Sequence, residues 1–173
     1  DLYGHEDIRL PDNYHVPQDA PKESIHTSGE LRAYAGIPAK GPVSDEAAHN
    51  LIHGYYASTS FVDAQIGKVV DQLDRLGLRE NTIIVYYSDH GDHFMYRDQA
   101  TAKFTCHEDS IRIPFVINGP GHVPAGLELK DYIGLEDLMP TVLDWAGIPI
   151  PDHMHGRSLV PLLKGESGKS IGW

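Results

Sequence analysis

The sequence predicts an α/β fold. Three observations predict it: a long amphipathic segment, two short apolar runs of strand length that follow it, and a further helical pattern near the end. The chain has 173 residues, 40% hydrophobic and 23% charged, which is typical of a globular protein with one sizeable core. We divide it into an irregular arm, residues 1–43, and an α/β portion, residues 44–173.

The arm is rich in proline and polar residues and shows no sustained helical or alternating pattern. It cannot bury enough apolar surface of its own to offset its ordering entropy, so we expect it to pack on another surface that this chain lacks. The chain begins at Asp1 without a methionine and ends at Trp173 after a loop-like GESGKS stretch. We interpret it as a piece of a longer protein.

Apolar residues recur at steps of three, four and seven over residues 51–76, which predicts an amphipathic helix of about 30 residues. Ser44 is the expected N-cap, and Gly77 is the expected left-handed stop. Tyr55 and Tyr56 belong to the apolar pattern, so we expect them in the core rather than in contact with substrate.

Two continuous apolar runs, residues 83–87 and 113–117, predict strands. The first does not alternate with polar residues, so we expect it to be buried on both faces. Residues 135–146 again repeat at helical spacing. Pro140 is compatible with that helix only in its first turn, and Gly147 predicts its end.

Charge and cysteine content exclude several classes of function. Fourteen Lys and Arg against 25 Asp and Glu give a net charge of −11, which disfavours nucleic acid or an anionic membrane surface as the partner. No apolar run approaches the roughly 18 residues that span a bilayer. The single cysteine, Cys106, excludes an internal disulfide and a cysteine-rich zinc site. We expect it to be a small buried hydrophobe, not a nucleophile.

An acid and an imidazole, Asp89 and His90, directly follow the first predicted strand. Gly91 lets the backbone turn there, so both side chains can converge on one ion, and their oxygen and nitrogen suit a divalent metal. Asp92 and His93 offer two more ligands. A plain turn whose histidines face water is an equally weighted alternative.

Two further residues follow in the loop before the second strand. Lys103 is a point charge that could hold a tetrahedral anion beside the metal, and the alternative is an ordinary solvated lysine. His107 follows it by four residues. The residues alone assign His107 no role.

Several motifs occur in one order at compatible spacing along nearly the whole chain. They are Asp7–Asn13, His53–Gly67, Asn81–Val85, Ser88–Gly91, Lys103, Ser110–Pro114, Asn118–Gly121, Asp137–Ile148 and His155–Leu159. Together they resemble the type I sulfatases of the alkaline phosphatase superfamily, over the central to C-terminal portion of the catalytic domain. The resemblance implies a domain with a central mixed sheet flanked by helices.

The resemblance implies hydrolysis of a sulfate ester of a small molecule or carbohydrate by a formylglycine nucleophile. Asp89 and His90 match the family's downstream metal-ligand pair. Lys103 matches the lysine that contacts the substrate sulfate, and His107 matches a position where some members carry a polar residue lining the site. The resemblance therefore implies that Lys103 and His107 are catalytic and substrate-binding. Calcium is the family's metal, although a histidine ligand suits Zn²⁺ or Mn²⁺ better by hardness.

The chain departs from the family pattern in two ways. It contains no Cys-x-Pro-x-Arg or Ser-x-Pro-x-Arg motif from which formylglycine is made, and it lacks the paired acidic ligands of the N-terminal half. Calcium takes about 6–8 oxygen ligands, whereas this chain offers one firm carboxylate and one imidazole. We therefore expect the isolated chain to be inactive and its partner to be the N-terminal half of the same enzyme.

Two alternatives remain open at the level of sequence. A phosphodiesterase or phosphonate hydrolase of the same superfamily shares the Ser88–Gly91 motif, and a non-catalytic fragment or binding module would also lack the nucleophile. Many sulfatases are exported, so a periplasmic or secreted location fits the resemblance, although the sequence itself does not give a location.

Overall fold

A computed structural model describes residues 2–25, 30–95, 103 and 105–166. The chain forms two compact units, one of Asp1–Gln72 with Tyr87–Pro114 and one of Leu73–Tyr86 with Phe115–Trp173. The α/β class is confirmed. The helices are α1 (Asp45–Arg75), α2 (Glu108–Ile111), α3 (Leu138–Trp145) and α4 (Val160–Leu163), and the strands are β1 (Ile84–Tyr87) and β2 (Phe115–Asn118). Short 3₁₀ turns lie at His5–Asp7, Lys22–Ser24, Leu31–Ala33, Arg79–Asn81 and Leu135–Asp137.

The core of the first unit joins the arm to the beginning of α1. Its buried apolar side chains come from the arm, from the first turns of α1 and from the segment after β1. They are Ile8, Tyr14, Leu31, Val43, Ala48, Ile52 and Met95. The arm thus covers the start of α1, while the division at residue 43 and the packing of the arm on a further segment remain predictions.

The ends of α1 follow the expected capping pattern. The Ala47 amide donates to Ser44 Oγ at 3.3 Å, which makes Ser44 the N-cap. Gly77 has a φ of 67°, and the Leu78 amide donates to the Leu73 carbonyl at 2.9 Å, as in a Schellman motif. The predicted start, length and stop of this 31-residue helix are confirmed.

The apolar face of α1 is largely exposed beyond its first turns. Only Ala48 and Ile52 are buried in this helix, whereas Tyr55 and Tyr56 remain 50% and 41% exposed. The prediction that both tyrosines belong to the core is therefore wrong for the described residues, because the rings of Tyr3 and Phe94 that contact them leave a large part of each side chain exposed. None of the described helices, α1 included, is both long and apolar enough to cross a membrane.

The two strands pair with each other in a two-stranded sheet. The expectation that β1 is buried on both faces is wrong, since Tyr86 and Tyr87 each keep 45% of their surface exposed. Within the part of the chain that the structure describes, β1 pairs only with β2, and the faces of this sheet stay partly exposed. The run was nevertheless correctly identified as a strand.

In the second unit, α3 extends the 3₁₀ turn Leu135–Asp137, and Pro140 lies in its first turn as expected. Gly147, with a φ of 66°, follows the end of the helix. The buried Thr141 side chain then links the segment around Leu159 to α3, because its Oγ1 accepts the Leu159 amide at 2.9 Å.

Candidate functional site

Asp89 and His90 lie in the turn that directly follows β1. Asp89 Oδ2 is 3.6 Å from His90 Nε2. His90 Nδ1 is 2.8 Å from the carbonyl oxygen of Gly91, and because a carbonyl only accepts, Nδ1 must carry the proton. In the neutral ring Nε2 therefore has the free lone pair on the side of the Asp89 carboxylate, the state a metal-binding histidine needs.

Gly91 brings this turn against the loop that carries α2. Its amide donates to the Ser110 carbonyl at 2.7 Å. A Cβ at position 91 would lie 2.2 Å from the Asp109 carbonyl oxygen. The close approach is open only to glycine, and it fixes the turn that presents Asp89 and His90.

Asp89 and His90 are the candidate ligands for the divalent metal that the sequence motifs imply. Asp89 and His90 present one oxygen and one nitrogen to a common point, which fits one side of a divalent-cation site. No group of three or more His, Cys, Asp or Glu side chains suited to a metal occurs among residues 2–25, 30–95, 103 and 105–166. The pair thus fits part of a coordination sphere, and the remaining ligands must come from elsewhere.

Asp92 and His93 do not join this pair as the sequence suggested. Asp92 Oδ1 accepts the Phe94 amide at 2.8 Å, and burial raises the pKa of its carboxyl group. His93 is fully buried, with Nε2 2.7 Å from Thr105 Oγ1. Both side chains stabilise the loop behind the Asp89 turn.

His107 belongs to a small cluster with His93 and Thr105. His107 Nδ1 is 3.1 Å from His93 Nε2, and the two rings meet edge to face with centroids 4.8 Å apart. The predicted contact of His107 with substrate stays a prediction. The adjacent Cys106 is exposed, so the expectation that it is a buried hydrophobe is wrong, because this loop places its side chain on the surface.

Lys103 forms an ion pair with Glu30 of the arm, with Nζ 2.7 Å from Oε2. The hydrogen bond to Glu30 is the main cause that raises the pKa of Lys103, and the charges of Glu30, Asp92 and Asp89 add to it. The lysine and the Asp89 turn therefore share one electrostatic neighbourhood. The Lys103 side chain keeps 23% exposure, so it is partly covered, and the choice between a sulfate-binding lysine and an ordinary solvated one stays a prediction.

Glu30 is the one member of this neighbourhood that sequence reasoning missed. It lies in the arm, far along the chain from Lys103, and its local sequence does not differ in kind from that of other arm carboxylates such as Glu23. Only the fold brings it to the lysine.

Known proteins with similar sequences and structures indicate the family of this chain. The sulfatase family description matches residues 5–148 of this chain. Arylsulfatase K of Homo sapiens is 34% identical over 147 residues, which cover 85% of this chain and 27% of that protein. The chain spans about a quarter of the length of the first curated relatives that it matches.

Two solved structures have a similar fold. A phosphonate monoester hydrolase from Silicibacter pomeroyi aligns with a TM-score of 0.74 at 33% identity, covering 84% of this chain and 28% of that one. An enzyme solved in complex with its substrate D-glucosamine-2-N,6-O-disulfate aligns with a TM-score of 0.64 at 34% identity, covering 69% of this chain and 24% of that one.

Proposed function

Because this chain belongs to the sulfatase family, we propose that it supplies the metal-binding turn and the sulfate-binding lysine of a sulfuric ester hydrolase. The observation that carries the proposal is the approach of Asp89 and His90 in the turn after β1. Asp89 and His90 face each other across 3.6 Å, and the charge of Asp89 acts on Lys103. A cation held by this pair and the ammonium group of Lys103 are proposed to meet the same anion.

Asp89 and His90 are proposed to hold a divalent cation. Calcium is the first choice from the family, and Zn²⁺ or Mn²⁺ is the alternative because imidazole nitrogen suits these ions better. A bound cation would supply a positive charge for the sulfate oxygens. His90 stays oriented for this role through its Nδ1 hydrogen bond to the Gly91 carbonyl.

Lys103 is proposed to bind the substrate sulfate and to stabilise the charge that develops on its oxygens during cleavage. Its ammonium group has three donors, and one of them is used by Glu30. Two donors remain for sulfate oxygens. His107 is proposed as a second substrate contact, catalytic in the sense that it would touch the sulfate ester.

The nucleophile is proposed to come from an N-terminal half of the same enzyme, as a formylglycine with the remaining metal ligands. The 173 residues contain no Cys-x-Pro-x-Arg or Ser-x-Pro-x-Arg motif. The substrate class is proposed to be a sulfated carbohydrate or another small sulfate ester. A relative solved with a disulfated glucosamine as its substrate supports this choice.

The first test is the hydrolysis of 4-nitrocatechol sulfate by the protein expressed from the complete coding sequence that contains this chain. Lys103→Ala is expected to lower kcat/KM by about 100-fold or more, the usual loss on removing one charge-stabilising donor. Lys130→Ala, which removes an exposed lysine elsewhere, is the control and should leave the rate unchanged. Equal rates for both variants would remove Lys103 from the site.

A second test is metal content after dialysis, measured by inductively coupled plasma mass spectrometry. Asp89→Ala and His90→Ala should each lose bound metal, whereas Asp131→Ala, an exposed carboxylate, should keep it. Full metal content in the first two variants would contradict the proposed ligand pair.

The similarity to a phosphonate monoester hydrolase favours one alternative activity. The ratio of kcat/KM for 4-nitrocatechol sulfate to kcat/KM for a phenylphosphonate monoester separates the two. A ratio well above one supports the sulfatase, and a ratio well below one supports the phosphonate hydrolase. Absence of both activities, with retained binding of the sulfate ester by calorimetry, would favour a non-catalytic binding module.

A further inference from the structure

The arm residue Glu30 is held firmly where it meets Lys103. It immediately precedes Leu31, which is 1% exposed and anchored in the core of the first unit. The next residue, Arg32, donates to the Pro38 carbonyl at 2.9 Å and to the Gly41 carbonyl at 2.7 Å. The backbone that follows Glu30 is therefore held in place by the burial of Leu31 and by the two hydrogen bonds of Arg32.

Both carboxylate oxygens of Glu30 have partners. Oε2 lies 2.7 Å from Lys103 Nζ, and the Tyr34 hydroxyl donates to Oε1 at 3.5 Å. The short first distance is that of a charge-assisted hydrogen bond, while the second is long and weak. The carboxylate thus has one strong partner, and that partner is the lysine to which the proposed function assigns the sulfate.

The pair has more value for orientation than for stability. Glu30 keeps 49% and Lys103 keeps 23% of side-chain exposure, and partly exposed ion pairs contribute little to folding. A lysine side chain, however, has a flexible four-carbon stem and a large entropy when free. A fixed carboxylate at its tip selects one orientation of the ammonium group before the substrate arrives.

We propose that Glu30 is a positioning residue for Lys103: its carboxylate holds the ammonium group toward the Asp89–His90 turn and leaves two N–H donors for the sulfate. This inference rests on the proposed function of Lys103. Glu30 acts through the lysine and touches neither the substrate nor the reacting atoms.

Glu30 could also block the sulfate site, and this competing role predicts the opposite effect of removing the carboxylate on catalysis. If its carboxylate instead occupied the place of the substrate sulfate, its removal would free Lys103 and lower KM. If it positions Lys103, its removal leaves the ammonium group mobile, and kcat/KM falls. The raised pKa of Lys103 depends mainly on Glu30, so removal of the carboxylate also moves the loss of activity at alkaline pH toward lower pH.

The experiment measures kcat/KM for 4-nitrocatechol sulfate as a function of pH in the protein expressed from the complete coding sequence. Glu30→Ala is expected to lower kcat/KM by about 10-fold, the lower end for loss of a group that orients a site residue. Its alkaline limb should lie at lower pH than that of the parent. Glu30→Gln keeps a hydrogen-bond acceptor and should recover part of the rate. Glu23→Gln, on the same arm, is the matched control and should behave as the parent.

A Lys103→Ala background distinguishes positioning from a merely structural role. In that background Glu30→Ala is expected to cause no further loss, because the group it positions is gone. An additional 10-fold loss there, an unchanged alkaline limb, or a lowered KM in the single variant would each overturn the inference. If Lys103→Ala itself keeps the parent rate, the proposed function fails; if Lys103→Ala is impaired and Glu30→Ala is not, only the positioning inference fails.

Discussion

The turn after β1 depends on a glycine, and Gly91→Ala tests that dependence most directly. A Cβ at position 91 would lie 2.2 Å from the Asp109 carbonyl oxygen, whereas real Cβ contacts essentially never fall under 3.0 Å. The turn must therefore retreat by about 0.8 Å from a backbone group that cannot rotate away. Such a retreat stretches the 2.7 Å hydrogen bond from Gly91 to Ser110 beyond the usual range.

The expected cost combines two effects. Forced repacking of a filled site costs about 1–3 kcal/mol. Loss of a partly buried amide hydrogen bond adds about 1 kcal/mol. We expect a total destabilisation of about 2–4 kcal/mol. Because Asp89 and His90 lie in the same turn, a displacement of this size should also impair metal binding. It should lower kcat/KM by up to about 100-fold.

The assay is urea unfolding of the protein from the complete coding sequence, followed by fluorescence, with metal content measured on the same samples. Gly54→Ala is the control, since a Cβ there meets none of the described residues within 4 Å. Alanine in a helix interior should stabilise by up to about 1 kcal/mol. If Gly91→Ala unfolds at the parent's urea midpoint and keeps its metal, the close approach of Gly91 to Asp109 determines neither stability nor metal binding.

Three further predictions follow from the described contacts. Thr141→Val removes the acceptor of the Leu159 amide and should lower the free energy of unfolding by about 1–3 kcal/mol, as checked by urea unfolding; an effect below 0.5 kcal/mol would contradict it. Gly77→Ala forces a side chain into a left-handed backbone and should cost about 1–2 kcal/mol in the same assay, and a stabilised variant would be inconsistent with the Schellman stop. The lowered pKa of Glu30 and the raised pKa of Lys103 keep their ion pair formed from about pH 5 to pH 9, so amide exchange around the 31–33 turn, corrected for intrinsic rates, should stay constant there. It should accelerate as the pH falls through the lowered pKa of Glu30 and the carboxylate takes up a proton. Lys103→Ala should abolish that pH dependence, and its persistence in the variant would exclude the ion pair as its cause.

Local signals sufficed for the elements whose ends are determined by nearby residues. The cap at Ser44, the left-handed stop at Gly77 and the first-turn position of Pro140 all follow from backbone chemistry within one turn, and the structure confirms them. Burial was predicted less well. The half-exposed Tyr55 and Tyr86 show why: an apolar pattern reveals which face needs cover, but not whether the cover is part of the same 173 residues.

In the candidate site, too, contacts between neighbours in sequence could be predicted, and contacts made by tertiary packing could not. Asp89 and His90 are adjacent in sequence, so a single turn is enough to bring them together, and the motif predicts their approach. The partner of Lys103 could not be predicted, because Glu30 reaches it through the tertiary packing of the arm. His93 was misjudged for a related reason, since its neighbour in space, Thr105, lies 12 residues away along the chain.

The bare flank of α1 has a practical consequence for handling this polypeptide. Phe61, Val62 and Val69 leave 66%, 51% and 65% of their surface in contact with water. Apolar area of this kind promotes self-association at the concentrations used for purification. Preparations of these 173 residues alone call for dilute conditions and light scattering at each step, and charged substitutions at Phe61 and Val69 offer a route to a monodisperse sample.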